Sequence, residues 1–138
     1  MKRVAVMAVL VLSGAWIRGL GADEPVAAAQ AVAQTWLALV DSGKYAQSWS
    51  TAARHFRDSI PQAQWESQLA AVRGPFGAVK SRSLASARFM RSLPGAPDGE
   101  YVVIQFKTSF EHKAEAMETV TPMKDADGQW RVSGYYIR

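Results

Sequence analysis

Apolar side chains recur at three- and four-residue spacing through the first half of the chain, a pattern that predicts amphipathic helices sharing one core. Pro25 suits a first helical turn and Gly43 suits the end of a helix. The predicted helices span about 25–41, 45–56 and 59 or 60 to 73. Their apolar stripes are Val26, Ala29, Ala33, Trp36, Leu37 and Val40; then Tyr45, Trp49, Ala52, Ala53 and Phe56; then Trp65, Leu69 and Val72.

From Phe76 the apolar period changes to two, which is typical of strands. The segments between the predicted strands are short and rich in turn-forming Pro, Gly and Asp, so the strands should form an antiparallel meander. The order of elements therefore predicts an α+β domain with three N-terminal helices packed on four strands. The predicted strands span about 79–92, 100–110, 114–123 and 129–137.

Two strands differ in how their faces are patterned. The second has one apolar row that we expect to meet the helices, formed by Val102, Ile104, Phe106, Thr108 and Phe110. The fourth carries large apolar groups on both rows, namely Trp130, Val132 and Tyr136 on one, and Tyr135 and Ile137 on the other. Because exposed apolar patches are disfavoured on monomers, this pattern predicts a homodimer through the outer sheet face.

The first residues have the form of a secretory signal peptide. Met1, Lys2 and Arg3 give a basic start, and the nine apolar residues 4–12 are too few to cross a membrane as a helix. We expect 1–22 to be removed by cleavage after residue 21 or 22, which leaves one domain, 23–138, exported to the periplasm or beyond. The alternative is an uncleaved anchor.

The net charge and the absence of cysteine limit which partners and which chemistry the sequence supports. The formal net charge is +4, but loss of Lys2, Arg3 and Arg18 leaves 13 basic residues against the same 12 acidic ones, a net charge of +1. The remaining cations are scattered, so we expect no nucleic-acid partner. With no cysteine, the exported chain has neither disulfides nor a thiol nucleophile.

Candidate metal and nucleophile sites are weak. Asp125, Asp127 and Gly128 begin like a calcium loop but lack the later acidic ligand, so a hairpin turn explains them. His55 and His112 lack a partner at zinc-site spacing. No serine lies in a nucleophile motif and no glycine-rich phosphate loop occurs. We therefore expect no metal, no cofactor and no recognisable catalytic set.

Glu118 is the strongest candidate for a functional site, because it shares a strand row with Ala116 and Val120. If that row faces the helices, the carboxylate enters an apolar cavity and could act as an acid or base. The alternative is a structural carboxylate, outward-facing or paired with Arg82, Arg88 or Arg131. Further strand residues that could line a ligand-binding cavity are Tyr101, Lys107, Trp130 and Tyr136.

The helical aromatic residues allow two interpretations. They could form a stacking pocket for a small apolar or aromatic ligand, or they could simply pack the core, which their helical spacing also requires. The residues concerned are Trp36, Trp49, Trp65 and Trp130 with Tyr45 and Phe56.

Three segments carry a family resemblance: 36–45 (WLALVDSGKY), 93–103 (LPGAPDGEYVV) and 127–137 (DGQWRVSGYYI). On these the chain resembles a family of small exported bacterial proteins, the DUF4019 type, a domain of unknown function. The resemblance implies no reaction, cofactor or catalytic residue. More loosely, helices followed by a long antiparallel sheet resemble the cystatin-like and NTF2-like cone folds, which serve both enzymes and binding proteins.

Together these observations predict a non-catalytic binding or interaction module of the cell envelope, whose partner is a small ligand or an envelope protein. The alternative is a small cone-fold enzyme that uses Glu118 as acid or base in an aromatic-lined cavity.

Overall fold

The structure, a computed structural model, describes residues 23–138. The predicted signal peptide lies outside the described residues. Within the described part of the chain, no helix has the length and apolar character needed to cross a membrane.

Four helices precede four strands, which confirms the predicted α+β class. The strand bounds lie within two residues of the predicted ones. The helices are α1 (Asp23–Asp41), α2 (Tyr45–Ser50), α3 (Arg54–Ser59) and α4 (Gln62–Arg73), and the strands are β1 (Val79–Met90), β2 (Tyr101–Phe110), β3 (Lys113–Lys124) and β4 (Trp130–Ile137).

Helix α1 ends in a glycine-dependent cap. Gly43 has a φ of +73°, and its N–H donates to the carbonyl of Val40, while the N–H of Lys44 donates to the carbonyl of Leu39. This is the Schellman arrangement, which glycine favours because it adopts positive φ without a steric penalty. The cap fixes the last helical residue, Asp41, at the point where the chain turns back toward α2.

The single helix predicted over 45–56 is wrong, because the chain breaks it into α2 and α3. Ala53 is extended, with φ −59° and ψ 149°, and its N–H donates 2.7 Å to the carbonyl of Val132 in β4. A tertiary hydrogen bond to the sheet thus replaces a helical one. Ala52 and Ala53 are nevertheless fully buried, as their place on the predicted stripe requires.

The four strands form one antiparallel sheet in the order β1-β2-β3-β4, as the meander predicts. The apolar row of β2 is buried, and Val102, Ile104 and Phe106 belong to the main core. This row faces the helices. We call the opposite side the outer sheet face; it carries the alternate residues, such as Gln105, Lys107 and Thr119.

A bulge in the β3–β4 pairing overturns the predicted rows of the fourth strand. Pro122 pairs with Val132, but Thr121 pairs with Gly134, so β4 carries one extra residue at this point. Because of this extra residue, each side chain after it in β4 points to the opposite face of the sheet from the one that strict alternation predicts. Trp130, Val132 and Tyr135 therefore all contact the main core, while Tyr136 points outward alone. The outer sheet face is consequently less apolar than the sequence indicates.

The aromatic side chains of the helices pack the core. Trp36 and Trp65 are 3% and 7% exposed, and Trp49 and Phe56 pack against the same cluster. Each buried indole N–H has a partner: Trp36 donates to the carbonyl of Ser48 at 2.8 Å, and Trp65 donates to the Ser48 hydroxyl at 3.0 Å. The interpretation as core is confirmed for these rings.

Candidate functional site

Glu118 lies at the centre of β3 with its side chain turned toward the helices. It pairs with Phe106 of β2 and Ile137 of β4, and its side chain is 0% exposed. An ionised carboxylate so deep in a small domain must be matched by hydrogen bonds and countercharge. The groups that contact Glu118 therefore determine whether it can act as an acid, as a base or as a structural ion.

Four hydrogen bonds from three side chains satisfy this carboxylate. Arg82 of β1 forms a fork, with Nε 2.7 Å from Oε1 and one terminal nitrogen 3.2 Å from Oε2. The Thr108 hydroxyl donates to Oε1, and the Tyr135 hydroxyl donates to Oε2. Each oxygen thus accepts two hydrogen bonds, which fills the acceptor capacity of a carboxylate.

Arg82 also connects the sheet to two helices. Its terminal nitrogens lie 2.8 Å and 3.0 Å from the carboxylate oxygens of Asp41, the last residue of α1. Asp41 in turn accepts a 2.9 Å hydrogen bond from Arg73, the last residue of α4. The charges alternate along this chain of contacts and sum to zero, in the order Glu118, Arg82, Asp41 and Arg73. We use the name buried ion network for these four residues together with Thr108 and Tyr135.

The charges of the network shift its pKa values. Burial alone would raise the pKa of Asp41, but the hydrogen bonds and charges of Arg82 and Arg73 outweigh it and lower that pKa. Burial would likewise lower the pKa of Arg82, and Asp41 and Glu118 outweigh it and raise that pKa. The ionised forms of Asp41 and Arg82 are therefore the stable ones in the fold.

Tyr135 is held in its neutral form. Burial raises its pKa most, and the charge and hydrogen bond of Glu118 raise it further, against a smaller opposing effect of Arg73. Its ring also stands edge-on to Trp36, with centroids 5.2 Å apart. The phenol acts as a fixed donor to Glu118 and not as a source of tyrosinate near neutral pH.

Arg73 is the least expected member of the network. Val72, which the helical spacing places on the buried stripe, is 42% exposed, whereas Arg73 is only 5% exposed. The predicted burial of Val72 is wrong because the last turn of α4 directs Arg73 toward Asp41 and over the Phe110 ring, 4.8 Å from its centroid. At the end of α4, the contacts of the buried Arg73–Asp41 ion pair therefore outweigh the burial of Val72 that the helical pattern favours.

The other four predicted ligand-binding residues do not meet Glu118. Tyr101 is 1% exposed in a small second cluster with Ala53 and Met123, and its hydroxyl donates to the carbonyl of Pro97. Trp130 packs against the main core. Lys107 and the 49%-exposed Tyr136 lie on the outer sheet face. The structure therefore does not gather the five residues into one cavity.

The aspartate loop after β3 forms a turn held by an arginine. Arg131 lies 2.9 Å from a carboxylate oxygen of Asp125 and 2.8 Å from one of Asp127, and Gly128 has a φ of +82°. Hydrogen bonds from Arg131 and from the N–H of Gln129 lower the pKa of Asp127 to about 2. These contacts are those of a closed turn.

The sequence singled out Glu118, left its orientation open and gave Arg82 as one of three possible partners, but it did not indicate that Asp41, Arg73 or Tyr135 belong to the network. A signal for Asp41 existed. A carboxylate in the last turn of a helix opposes the helix dipole, so its presence at the end of α1 indicates a strong cationic partner. No comparable signal marks Tyr135, whose orientation depends on the bulge.

Two concave surfaces border the described core, and Thr108 of the buried ion network lines one of them. One, of 380 Å³, is an apolar groove between α1 and the start of β4, bordered by Val32, Trp36, Leu39 and Val132. The other, of 560 Å³, lies on the outer sheet face at the end where β2 turns into β3. Neither contains Glu118.

Comparisons with known proteins agree with this architecture. Residues 32–135 match the family described as "Protein of unknown function (DUF4019)". No curated protein matches the sequence. Among solved structures, the chain is similar to a protein from Shewanella frigidimarina described as a "putative ketosteroid isomerase", with a TM-score of 0.52 and 16% identity over 80% of this chain and 94% of that one. At this identity the likeness shows the fold, which is NTF2-like.

Proposed function

Since the chain belongs to the DUF4019 family and has an NTF2-like fold, we propose that it is a non-catalytic binding or interaction module of the cell envelope. The fold alone does not distinguish a binding protein from an enzyme, because the same architecture supports both functions. The choice therefore depends on the chemistry of the residues inside it.

The observation that carries the proposal is the state of Glu118. A general base needs a free lone pair within reach of a substrate proton, and a general acid needs access to a leaving group. Glu118 is 0% exposed, and all its acceptor positions are filled by Arg82, Thr108 and Tyr135. The bonds resemble those of a structural ion pair joining sheet to helices, not those of an acid or base waiting for a ligand.

The proposal includes export and a bound partner. The basic start and short apolar run at the N-terminus support export. The apolar groove beside Trp36 supports a small apolar or aromatic ligand, because its volume of 380 Å³ is within the range of roughly 300–1,000 Å³ found for small-molecule sites.

The test is native mass spectrometry of the mature protein, purified gently from its own export compartment. We expect a mass corresponding to cleavage near residue 22 and a bound small molecule or protein. Mature protein that carries nothing and captures no partner would contradict the binding role. Turnover of a candidate ligand that Glu118→Gln abolishes without unfolding the protein would instead establish the enzyme alternative.

The homodimer through the outer sheet face stays a prediction. Tyr136 is the exposed large aromatic side chain there, Gln105 is partly exposed, and Thr119 between them is buried. Light scattering at high micromolar concentration should detect the dimer, and a monomer at that concentration would exclude it.

A further inference from the structure

The sheet edge formed by β1 has no partner in the described part of the chain. β1 is the first strand in the order β1-β2-β3-β4 and pairs with β2 alone. No backbone hydrogen bond from outside the sheet, within residues 23–138, reaches residues 79–90. The opposite edge differs, because the N–H of Ala53 donates to the carbonyl of Val132 in β4. We call the unpaired side of β1 the open edge.

The open edge presents backbone groups as a further strand requires them. In an antiparallel pair, successive residues direct their N–H and C=O groups to opposite sides of the strand. The N–H of Lys124 donates to the carbonyl of Glu100, so even-numbered residues of β2 face β3 and odd-numbered ones face β1. Ala87 and Phe89 pair with even-numbered residues of β2 and therefore direct their backbone groups away from it. They lie in the stretch 86–90, which pairs without a bulge.

An apolar side chain is left uncovered at this edge. Leu84 pairs with Phe106, so both belong to the row that faces the helices. Phe106 is 2% exposed, whereas Leu84 is 47% exposed. The helices therefore cover β2 but do not reach across Leu84. A strand added beside β1 would cover it with a side chain of its own inward row.

The charge of β1 restricts which strand can join it. Its charged residues are Lys80, Arg82 and Arg88, with no acidic residue. Arg82 is bonded within the buried ion network, but no carboxylate oxygen of residues 23–138 lies within 4.0 Å of Lys80 or Arg88, and both are exposed. The charges at the two ends of β1 cancel, namely Asp98, Glu100 and Asp125 against Arg91, Lys124 and Arg131 at one end, and Glu111 against Lys113 at the other.

These two cations disfavour a second copy of the chain at the open edge and favour an acidic partner. If the β1 strands of two copies paired antiparallel about Leu84, Lys80 of each copy would lie opposite Arg88 of the other. Like charges in opposite positions destabilise a strand pair, whereas opposite charges stabilise it. Charge complementarity therefore favours a strand that carries carboxylates.

From these observations we infer that the open edge binds an extended acidic segment of another protein as a fifth strand. The segment bonds to the backbone of Ala87 and Phe89, covers Leu84 with an apolar side chain, and directs carboxylates to Lys80 and Arg88. It lies in the plane of the sheet, so it leaves the outer sheet face free for the predicted homodimer. The inference rests on the proposed function, because it names a partner class for the interaction module.

The test is calorimetric titration of the purified protein with a short peptide of alternating glutamate and valine. Two further peptides separate the contributions to affinity. One alternates lysine and valine, which keeps the strand propensity and reverses the charge. The other alternates glutamate and proline, which keeps the carboxylates and removes every second backbone N–H. We expect the glutamate–valine peptide to bind and the other two to bind about tenfold more weakly or less.

Amide hydrogen exchange followed by NMR locates the bound peptide. Saturating glutamate–valine peptide should slow exchange of the N–H groups of Ala87 and Phe89, because they gain hydrogen-bond partners. The N–H groups of Tyr135 and Ile137 are the internal control. Because Arg138 bonds to Met117 of β3, alternation directs Tyr135 and Ile137 to the opposite edge of the sheet, where exchange should not change.

Charge variants test the contacts of the carboxylates. Lys80→Gln and Arg88→Gln should each weaken binding of the glutamate–valine peptide about fivefold, the effect of roughly 1 kcal/mol from one exposed charged contact. Arg88→Lys keeps the charge and should retain the affinity. Lys44→Gln is the matched control, because Lys44 is an exposed lysine in the turn after α1 and should leave the affinity unchanged.

The inference is wrong if the glutamate–valine peptide does not bind, if either comparison peptide binds equally well, or if Lys44→Gln weakens binding as much as Arg88→Gln. Slowed exchange at Tyr135 and Ile137 in place of Ala87 and Phe89 would also overturn it. So would a dimer that protects Ala87 and Phe89 without peptide, because a second copy would then occupy the edge. Native mass spectrometry and the Glu118→Gln turnover assay test the proposed function by other readouts, so the two failures are distinguishable.

Discussion

At the scale of single residues, one buried carboxylate connects every layer of the domain. Glu118 on β3 reaches β1 through Arg82 and β4 through Tyr135, and Arg82 extends the connection to Asp41 of α1. Removing one member of a buried ion pair costs about 3–5 kcal/mol, because the remaining charge stays buried without its partner. The network therefore contributes both to stability and to the fixed arrangement of helices on the sheet.

Glu118→Gln should lower the free energy of unfolding by about 3 kcal/mol, with a fall in Tm of roughly 10 °C. The amide cannot accept the fork of Arg82 on both of its terminal atoms. Glu115→Gln, an exposed change three positions away on the same strand, should stay within about 0.5 kcal/mol of the wild type. Thermal and urea unfolding of the three proteins measure the difference, and equal stabilities of the two variants would remove the structural role of Glu118.

Asp41 should make the domain sensitive to acid. Its pKa is lowered in the folded protein, so its contribution to stability is complete above the unfolded value of about 3.9 and is lost as the pH falls through the lower folded value. Urea midpoints should therefore decrease between about pH 4 and pH 2. Asp41→Asn should be less stable at pH 6 and should show a shallower decrease in the acid range. If the urea midpoints of the wild type and of Asp41→Asn decrease equally between pH 4 and pH 2, Asp41 is not the group responsible.

The contribution of Tyr135 to stability should depend on pH in the opposite sense. Its pKa is raised on folding, so its contribution to stability is complete below the unfolded value of about 10 and is lost as the pH rises toward the folded value. Above pH 10 the wild type should lose stability faster than Tyr135→Phe, which has no phenol to ionise. Urea unfolding at pH 9 and pH 11 compares them, and the same loss in both proteins would speak against a buried neutral phenol.

At the scale of elements, the end of α1 determines where the network can form. Its cap places Asp41 beside both Arg73 and Arg82, and a helix that continued past Gly43 would carry the chain away from α2. The element boundary and the ion network therefore depend on the same glycine.

Gly43→Ala should cost about 1–2 kcal/mol, because an L-residue with a Cβ is strained in the left-handed conformation. No atom lies within 4 Å of the added Cβ, so conformation and not collision is tested. Gly99→Ala is the control: its φ is not in the left-handed range, and its Cβ would meet Tyr101 at an ordinary 3.7 Å. Chemical unfolding of both variants should show a loss for Gly43→Ala alone, and equal losses would refute the role of the cap.

At the scale of the whole molecule, the contacts form one unit. Helix α1 contacts all four strands, α2 packs on α4, and α3 joins β4 through the Ala53 hydrogen bond. The aromatic core and the ion network lie at this shared junction. Outside this junction lie concave surfaces that a ligand can reach: the apolar groove beside α1, the groove on the outer sheet face, and an 840 Å³ hollow between the β1–β2 and β3–β4 loops.

The patterns of the sequence determined much of this architecture. Helix and strand periods, with Pro25 and Gly43 as boundary residues, predicted the order of elements and the inward row of β2, because the buried positions of a helix and of a strand recur with different periods. The same spacing allowed either an aromatic core or a stacking pocket, and the structure confirms the core. These are local properties that each segment carries by itself.

Only the tertiary structure decided the rest. The break before α3 depends on a hydrogen bond from Ala53 to Val132, 79 residues later, and the bulge opposite Thr121 and Pro122 turned Tyr135 inward and left Tyr136 outside. Whether Glu118 was an acid, a base or a structural anion depended on Arg82, Tyr135 and Thr108, which come from three other strands. A charge in a core is defined by the groups that reach it, and those groups meet only when the sheet and helices are assembled.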